Sequence, residues 1–337
     1  MNNPDTIKIA YALSTRELAG EPLSATDVDL NQRHRGNLPH VYTLIFQHNL
    51  RVDAGEVDLP RVELVTIIYD DPEPPQREFT DLPIECVGIC SARLLELRDA
   101  RNVAQERGDT QEFERLRAAY SVERVRYEQE LVDHLQGASV DVVLLDRLMV
   151  ILGKTYLDNY LGNTLNTHPA ILPDLPGDTP TADAHARAGR GGNPWTGVTA
   201  HFINRGIDTG PAIAQRECTF VEQGMSVEDV RRTNYRGEGR NFMDAVTTYL
   251  SDSDAIELIL LRREARMQNG SGGEIRQTAR RIARALMRKY GGSFDSHWQR
   301  RKEHGLGTGR YQYTAPFGKQ ATPVHARGPQ RIARVAN

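Results

Sequence analysis

The chain has 337 residues, 39% of them hydrophobic and 26% charged, enough for one large domain, or one domain and a smaller companion, around a feasible core. No apolar run approaches the ~18 residues that a membrane helix needs, and the opening "MNNPDTIKIAYAL" has an acidic residue and too short an apolar run for a secretory signal. The net charge of −3 is unevenly spread: from Ala255 onward 17 basic residues face 5 acidic ones, leaving a surplus of acid on the rest, so the tail contacts either nucleic acid or the acidic body of the chain or a second subunit.

Residues 6–13, "TIKIAYAL", alternate and are rich in β-formers, which predicts a first strand. Residues 62–70 predict a second, ended by the proline-rich "DDPEPPQ", and 84–90 a short third. Cys86 and Cys90 form CxxxC without a second pair, and Cys218 stands apart, so no zinc or disulfide frame is expected and a reduced, cytoplasmic setting fits. The charged stretch 91–137 carries Leu, Val, Tyr and Ala at helical spacings and predicts two or three helices broken near Gly108 and Ser121. "VDVVLLDRLMVIL" (140–152) begins as a buried strand, 196–204 and 210–220 predict two more, and 225–250 is helical with a glycine-broken middle. Interleaved helices and strands argue for an α/β fold with a largely parallel sheet. Two basic helices follow, the second with Ile275, Ala279, Ile282, Ala283 and Leu286 on one stripe. Beyond Gly291 the Gly/Pro/Arg-rich chain has no periodicity and is expected to be extended or poorly ordered.

The chemistry is expected at "LNTHPAILPDLPG" (165–177). Asn166 and His168 are two apart, which on a strand puts both side chains on one face, and Pro169 and Pro173 keep the following segment out of helix. An Asn amide can donate to a developing oxyanion, and a neighbouring His can move a proton near neutral pH. Asp208 lies in a turn bracketed by Gly206, Gly210 and Pro211, where an Asp is equally suited to capping the turn.

Together, "NTHPAILPDLPG", "TGVTAH" and "DTGP" resemble the N10-formyltetrahydrofolate-dependent formyltransferases, whose pattern runs N-x-H-P-S-L-L-P-x-x-x-G, then T-G-x-T-x-H, then D-x-G-P. The resemblance covers about 127–220, is weak before 127 and absent after 255. It implies a Rossmann-like, mostly parallel sheet, with a catalytic domain over 1–250 enlarged by insertions at about 17–60 and 91–125, and a basic helical extension with a poorly ordered tail over 251–337. It implies that Asn166, His168 and Asp208 are catalytic. Asn166 and a protonated His168 would stabilise the tetrahedral oxyanion, and Asp208 would orient His168 and raise its pKa, or hold a water that shuttles protons. N10-formyltetrahydrofolate would be the co-substrate, with no metal. Its pteridine would lie against 145–152 (Leu145, Met149, Val150, Ile151 and Leu152) and under a loop that includes Asn204, Arg205 and Gly206. His201 would support rather than catalyse.

The acceptor is a small-molecule amine. The stretch "ALSTRELAGEPL" lacks the Gly/Ser-rich loop that cradles a phosphate, and the enlarged N-terminal half is similar to the N5-hydroxyornithine formyltransferases of hydroxamate siderophore biosynthesis. Arg16, Glu17, Asp27 and Asp29 are candidate partners for an amino-acid end. A sugar-nucleotide amine, or hydrolysis of the folate to formate, is the alternative. The tail lacks strand alternation, which disfavours the tRNA-binding barrel of the methionyl-tRNA enzymes; no membrane partner is expected, nucleic acid is disfavoured, and a homo-oligomer is left open.

Overall fold

The computed structural model describes residues 5–14, 37–70, 84–177, 179–268, 272–304 and 311–316. The candidates Arg16, Glu17, Asp27 and Asp29 lie outside these residues. In chain order the elements are β1 (Thr6–Leu13), α1 (Leu38–Asp53), β2 (Arg61–Tyr69), β3 (Glu85–Gly88), α2 (Ala92–Glu106), α3 (Thr110–Gly137) and β4 (Val142–Asp146). Then come α4 (Lys154–Tyr160), β5 (Thr164–His168), α5 (Pro180–Gly189), β6 (Trp195–Phe202), β7 (Ala212–Phe220), α6 (Val227–Leu250), α7 (Ser253–Met267), α8 (Gly273–His304) and β8 (Gln312–Thr314).

The strands form one sheet in the order β3-β2-β1-β4-β5-β6-β7-β8. The pairs from β3 to β5 are parallel; β6, β7 and β8 are added antiparallel. The period-2 pattern of β1 explains why the sheet is covered on both faces. Ile7, Ile9, Tyr11 and Leu13 point into a core shared with α1, α6, α7 and α8. Ala10 and Ala12 point into a second core under α2, α3 and α4. The chain leaves β1 toward β2 and β3 on one side and returns to β4 on the other. The carboxyl ends of β1 and β4 therefore flank a topological switch point, where ligands of open α/β sheets bind.

The helix break at Gly108 is present, but α3 runs unbroken through Ser121. Leu116, Tyr120, Tyr127, Leu131 and Leu135 keep a buried stripe going across that serine, and Asp109 caps the first turn through Glu112 N. The glycines of α6 do not break it either. They are sites of close approach: a Cβ at Gly237 would lie 2.9 Å from Cys218 Sγ, and one at Gly239 would lie 2.7 Å from His40 Nδ1.

Among the described residues the chain beyond Gly291 is also more regular than its composition predicts; 305–310 and 317–337, where the rest of the expected tail falls, lie outside them. The buried stripe Ala279, Ala283, Leu286 and Tyr290 continues through Phe294 and Trp298, so α8 extends past the glycine pair to His304. Burial of those rings outweighs the roughly 1 kcal/mol that each glycine costs a helix. Gln312–Thr314 then pairs with β7, so a segment read as lacking strand character adds an eighth strand. The basic tail meets the acidic body. Arg263 and Arg266 bind the buried Asp141 at 2.6 and 3.0 Å, and Arg280 reaches Asp158 at 3.3 Å.

Candidate active site

β5 carries Asn166 and His168 on the sheet face turned toward the α2–α4 core, with Asn166 in register with Leu145 of β4 and His201 of β6. The spacing argument holds: two residues apart, the side chains share one face. After His168 the chain turns through Pro169 and a cis Leu172–Pro173 bond. Asn234 Nδ2 donates to the Pro169 carbonyl at 2.8 Å, which ties the turn to α6.

Asp208 arrives from the β6–β7 connection with φ +49°. Around it, Asn204 Oδ1 accepts from Gly206 N at 2.9 Å and Thr209 Oγ1 at 2.8 Å and closes the turn on itself. Gly210 is needed at the turn's exit, since a Cβ there would lie 1.7 Å from the Phe202 carbonyl oxygen. The turn sets Asp208 Oδ2 3.4 Å from His168 Nδ1 and Oδ1 3.7 Å from His201 Nε2. Gly177 N donates to Oδ2 at 2.9 Å, which links the far end of the proline-rich segment to the same carboxylate. Asn166 and His168 of β5 and the sequence-distant Asp208 thus meet in one patch.

The hydrogen bonds decide the proton positions. A carbonyl can only accept, so His168 Nε2, 2.6 Å from Leu175 O, carries a proton. A neutral His168 then turns its Nδ1 lone pair toward Asp208. His201 has the opposite tautomer: Nδ1 donates to Phe202 O at 2.8 Å, and Nε2 accepts from Asn166 Nδ2 at 3.1 Å. His201 therefore fixes which way round the Asn166 amide sits, and the second Nδ2 proton is left for another acceptor.

Asp208 raises the His168 pKa, as the resemblance implies, but burial outweighs it and the resting ring is not held protonated. Burial pulls His168 below the ordinary imidazole value, and the opposing pull of Asp208 and the Leu175 carbonyl is smaller. His201 is driven further, to about 4, by burial first, with Asp208 opposing and His168 adding to the fall. Both rings are neutral at neutral pH, and Asp208 stands ready to pair with an imidazolium once His168 takes a proton.

Leu145, Val150 and Leu152 are buried in the α2–α4 core cluster, and Met149 and Ile151 are half-buried. Between β4 and α4 the backbone is neither helix nor strand. Ile203 packs against that same cluster, while Arg205 and Gly206 lie exposed beyond it and Asn204 is half-buried. The side chains of Leu145, Val150 and Leu152 are core, so what this segment can offer a ligand is main chain and the half-buried Arg147, Leu148, Met149 and Ile151. No group of three or more His, Cys, Asp or Glu placed to hold a metal occurs among the described residues.

One cluster at the switch point escaped the sequence reading. Asp146, wholly buried at the end of β4, accepts from Tyr11 OH at 2.5 Å and Asn37 N at 3.0 Å. Arg147, at φ +59°, lies 3.4 Å from Asp146 Oδ1 and over the Tyr235 ring. Asn37 Nδ2 also donates to Glu238 of α6, whose carboxyl is pushed up to about 8 by burial and by the nearby Asp146, so that it holds a proton at neutral pH. The signal was present in "VVLLDR", where an acid and a base end an otherwise apolar strand.

Comparisons with known proteins agree with this geometry. The chain is 35% identical over 99 residues to a phosphoribosylglycinamide formyltransferase of Bacillus subtilis, covering 29% of this chain and 49% of the relative. It is 46% identical over 82 residues to the enzyme of that name from Mycobacterium tuberculosis, covering 24% and 36%. It thus spans about half, or less, of the length of these curated relatives. Its fold is similar to that of glycinamide ribonucleotide transformylase 1 from Symbiobacterium toebii, with a TM-score of 0.50, 21% identity and coverage of 73% of this chain and 88% of the other. Residues 95–246, which contain Asn166, His168, His201 and Asp208, match the family described as formyl transferase.

Proposed function

We propose that this protein transfers the formyl group of N10-formyltetrahydrofolate to the nitrogen of a small acceptor, and that the acceptor is the side-chain hydroxylamine of N5-hydroxyornithine. The observation that carries the transfer reading is the convergence of Asn166, His168 and Asp208 within a segment that matches the formyl transferase family. The acceptor nitrogen attacks the formyl carbon on N10, and the carbonyl oxygen becomes an oxyanion. The Asn166 amide proton not given to His201 stabilises that oxyanion. Neutral His168 accepts the proton lost by the acceptor nitrogen at Nδ1, Asp208 holds the resulting imidazolium, and the proton then passes to N10 as the carbon–nitrogen bond breaks. The main chain between β4 and α4, with Met149 and Ile151, borders the pteridine on one side. The Asn204–Asp208 turn, which includes Arg205 and Gly206, borders it on the other.

Two features support an amino-acid acceptor. The stretch after β1 has no Gly/Ser-rich phosphate cradle. The switch point instead brings the Arg147 guanidinium beside the acids Asp146 and Glu238. Arg147 is already paired with the buried Asp146 and Glu238 is neutral at neutral pH, so the switch point offers a phosphate ester no unopposed cation. A hydroxylamine is also less basic than an alkylamine and so is an unprotonated nucleophile at neutral pH. The test is to incubate the protein with N10-formyltetrahydrofolate and, in turn, N5-hydroxyornithine, ornithine, glycinamide ribonucleotide and amino-sugar nucleotides, and to read the added formyl mass. The expected result is an adduct on hydroxyornithine. An adduct only on a sugar nucleotide or on glycinamide ribonucleotide overturns the acceptor and leaves transfer standing, and rapid formate release without any acceptor makes the protein a hydrolase.

A further inference from the structure

Just before β8, outside the family match, Tyr311 is linked through Gln215 to the loop that follows His168. Tyr311 is 2% exposed, and its hydroxyl donates to Gln215 Oε1 at 2.7 Å. Gln215 of β7 is wholly buried, and its amide nitrogen spends both protons, on Leu172 O at 2.7 Å and on Thr199 Oγ1 at 2.9 Å. Thr199, the cross-strand partner of His168, donates to Ala170 O at 2.7 Å and accepts from Leu172 N at 3.1 Å. Every donor and acceptor on the Gln215 amide and the Thr199 hydroxyl is assigned in one consistent direction. The Leu172 carbonyl can only accept, so the amide presents nitrogen to the loop and oxygen to Tyr311, whose hydroxyl must then donate. The loop held at Ala170 and Leu172 continues to Leu175, whose carbonyl takes the His168 Nε2 proton.

The geometry points to Tyr311 as a positioning residue for His168: it holds, through Gln215 and Thr199, the loop whose Leu175 carbonyl keeps the proton on Nε2 and bares Nδ1 to Asp208. The strand is itself well anchored. His297 stacks on Tyr311 with centroids 5.6 Å apart, Phe294 meets Tyr313 edge-on at 5.5 Å, and Glu217 N donates to Tyr311 O at 2.9 Å. Without the hydroxyl, Gln215 Oε1 is left buried without that donor, and the side chain shifts to regain one and slackens its hold on the loop.

The role in catalysis rests on the formyl-transfer reading; the effect on the imidazole does not. The test is the ring ¹⁵N spectrum of His168 in the full chain, assigned by its loss in His168→Gln, for wild type, Tyr311→Phe and the control Tyr313→Phe. The control also loses one hydroxyl, one bonded to Ser293. Wild type and Tyr313→Phe are expected to hold a single Nε2–H tautomer, whereas Tyr311→Phe mixes the two. Its kcat for formyl transfer is expected to fall about tenfold with KM for the folate unchanged. Should Tyr311→Phe not fold, Gln215→Met severs the same chain and is expected to give the same mixing. An unchanged His168 spectrum in Tyr311→Phe overturns the inference, as does mixing without loss of kcat in an active enzyme. A spectrum that mixes in a protein whose wild type transfers no formyl group defeats the proposed function alone and leaves the positioning of the ring intact.

Discussion

Two histidines on neighbouring strands, two register positions apart, differ in every hydrogen bond, and the difference assigns their tasks. His201 gives Nδ1–H to Phe202 and takes Asn166 on Nε2, so it orients the amide; His168 gives Nε2–H to Leu175 and keeps Nδ1 for Asp208, so it moves the proton. Because burial already pulls His168 down and Asp208 opposes that pull, the acid limb of the pH–rate profile is expected below the ordinary imidazole value. Removing the carboxylate in Asp208→Asn is expected to move the limb to still lower pH and to cut kcat about 100-fold; a limb that rises would contradict the assignment. Asn166→Asp, which replaces the amide donor by an acceptor, is expected to lose roughly 10²–10³ in rate with folding intact, as read by steady-state kinetics and thermal melts. Asn166, His168 and Asp208 stood out through the resemblance of their three motifs to a family pattern, since residue type and spacing alone left plain structural roles open. The tautomers could not be read there, since one depends on a backbone carbonyl seven residues on and the other on strand register. The pull of Asp208 on His168 was legible, but the larger opposing effect of burial was not, because it comes from elements distant in the chain.

The helices show where local pattern suffices and where packing overrules it. The β-strands of the first half were legible because alternating or continuous apolar runs flanked by turn residues have few other uses. Ser121 and the glycine pairs at 237/239 and 291/292 read as breaks, yet each lies inside a helix whose buried stripe passes over it. For α6 the glycines are there because Cys218 and His40 come too close for a Cβ, and a close neighbour from another element leaves no mark on local periodicity. The charge imbalance was correctly weighed as either an external or an internal contact, and ion pairs to the body account for part of it. Asp141 binds Arg263, Arg266 and the Lys8 amide while almost wholly buried. Arg263→Met is therefore expected to lower stability by roughly 2–3 kcal/mol, because a buried carboxylate loses its two-pronged partner. Equilibrium urea unfolding checks this, and a change below half a kcal/mol would mean that Arg266 alone suffices.

Across the whole molecule, the sheet brings the catalytic patch at the end of β5 and the acid-rich cluster at the ends of β1 and β4 to the same edge. Titration of the two has opposite effects on stability. His201, held at about 4 when folded and near 6.5 when unfolded, contributes stability that is full above 6.5 and lost as pH falls through about 4. Glu238, held at about 8 against 4.5 unfolded, contributes stability that is full below 4.5 and lost as pH rises through about 8. Glu238→Gln, fixed in the neutral form, is thus expected to match wild type in unfolding free energy at pH 4.5 and to exceed it increasingly from pH 6 to pH 9. A constant offset across that range would show that Glu238 is ionised in the folded protein. The most direct test of the account as a whole is the rate at which N10-formyltetrahydrofolate loses its formyl group to an acceptor, compared between wild type and His168→Ala at matched folded concentration. The account predicts turnover by wild type and a loss of at least about 100-fold in the variant; equal rates in the two proteins would contradict it.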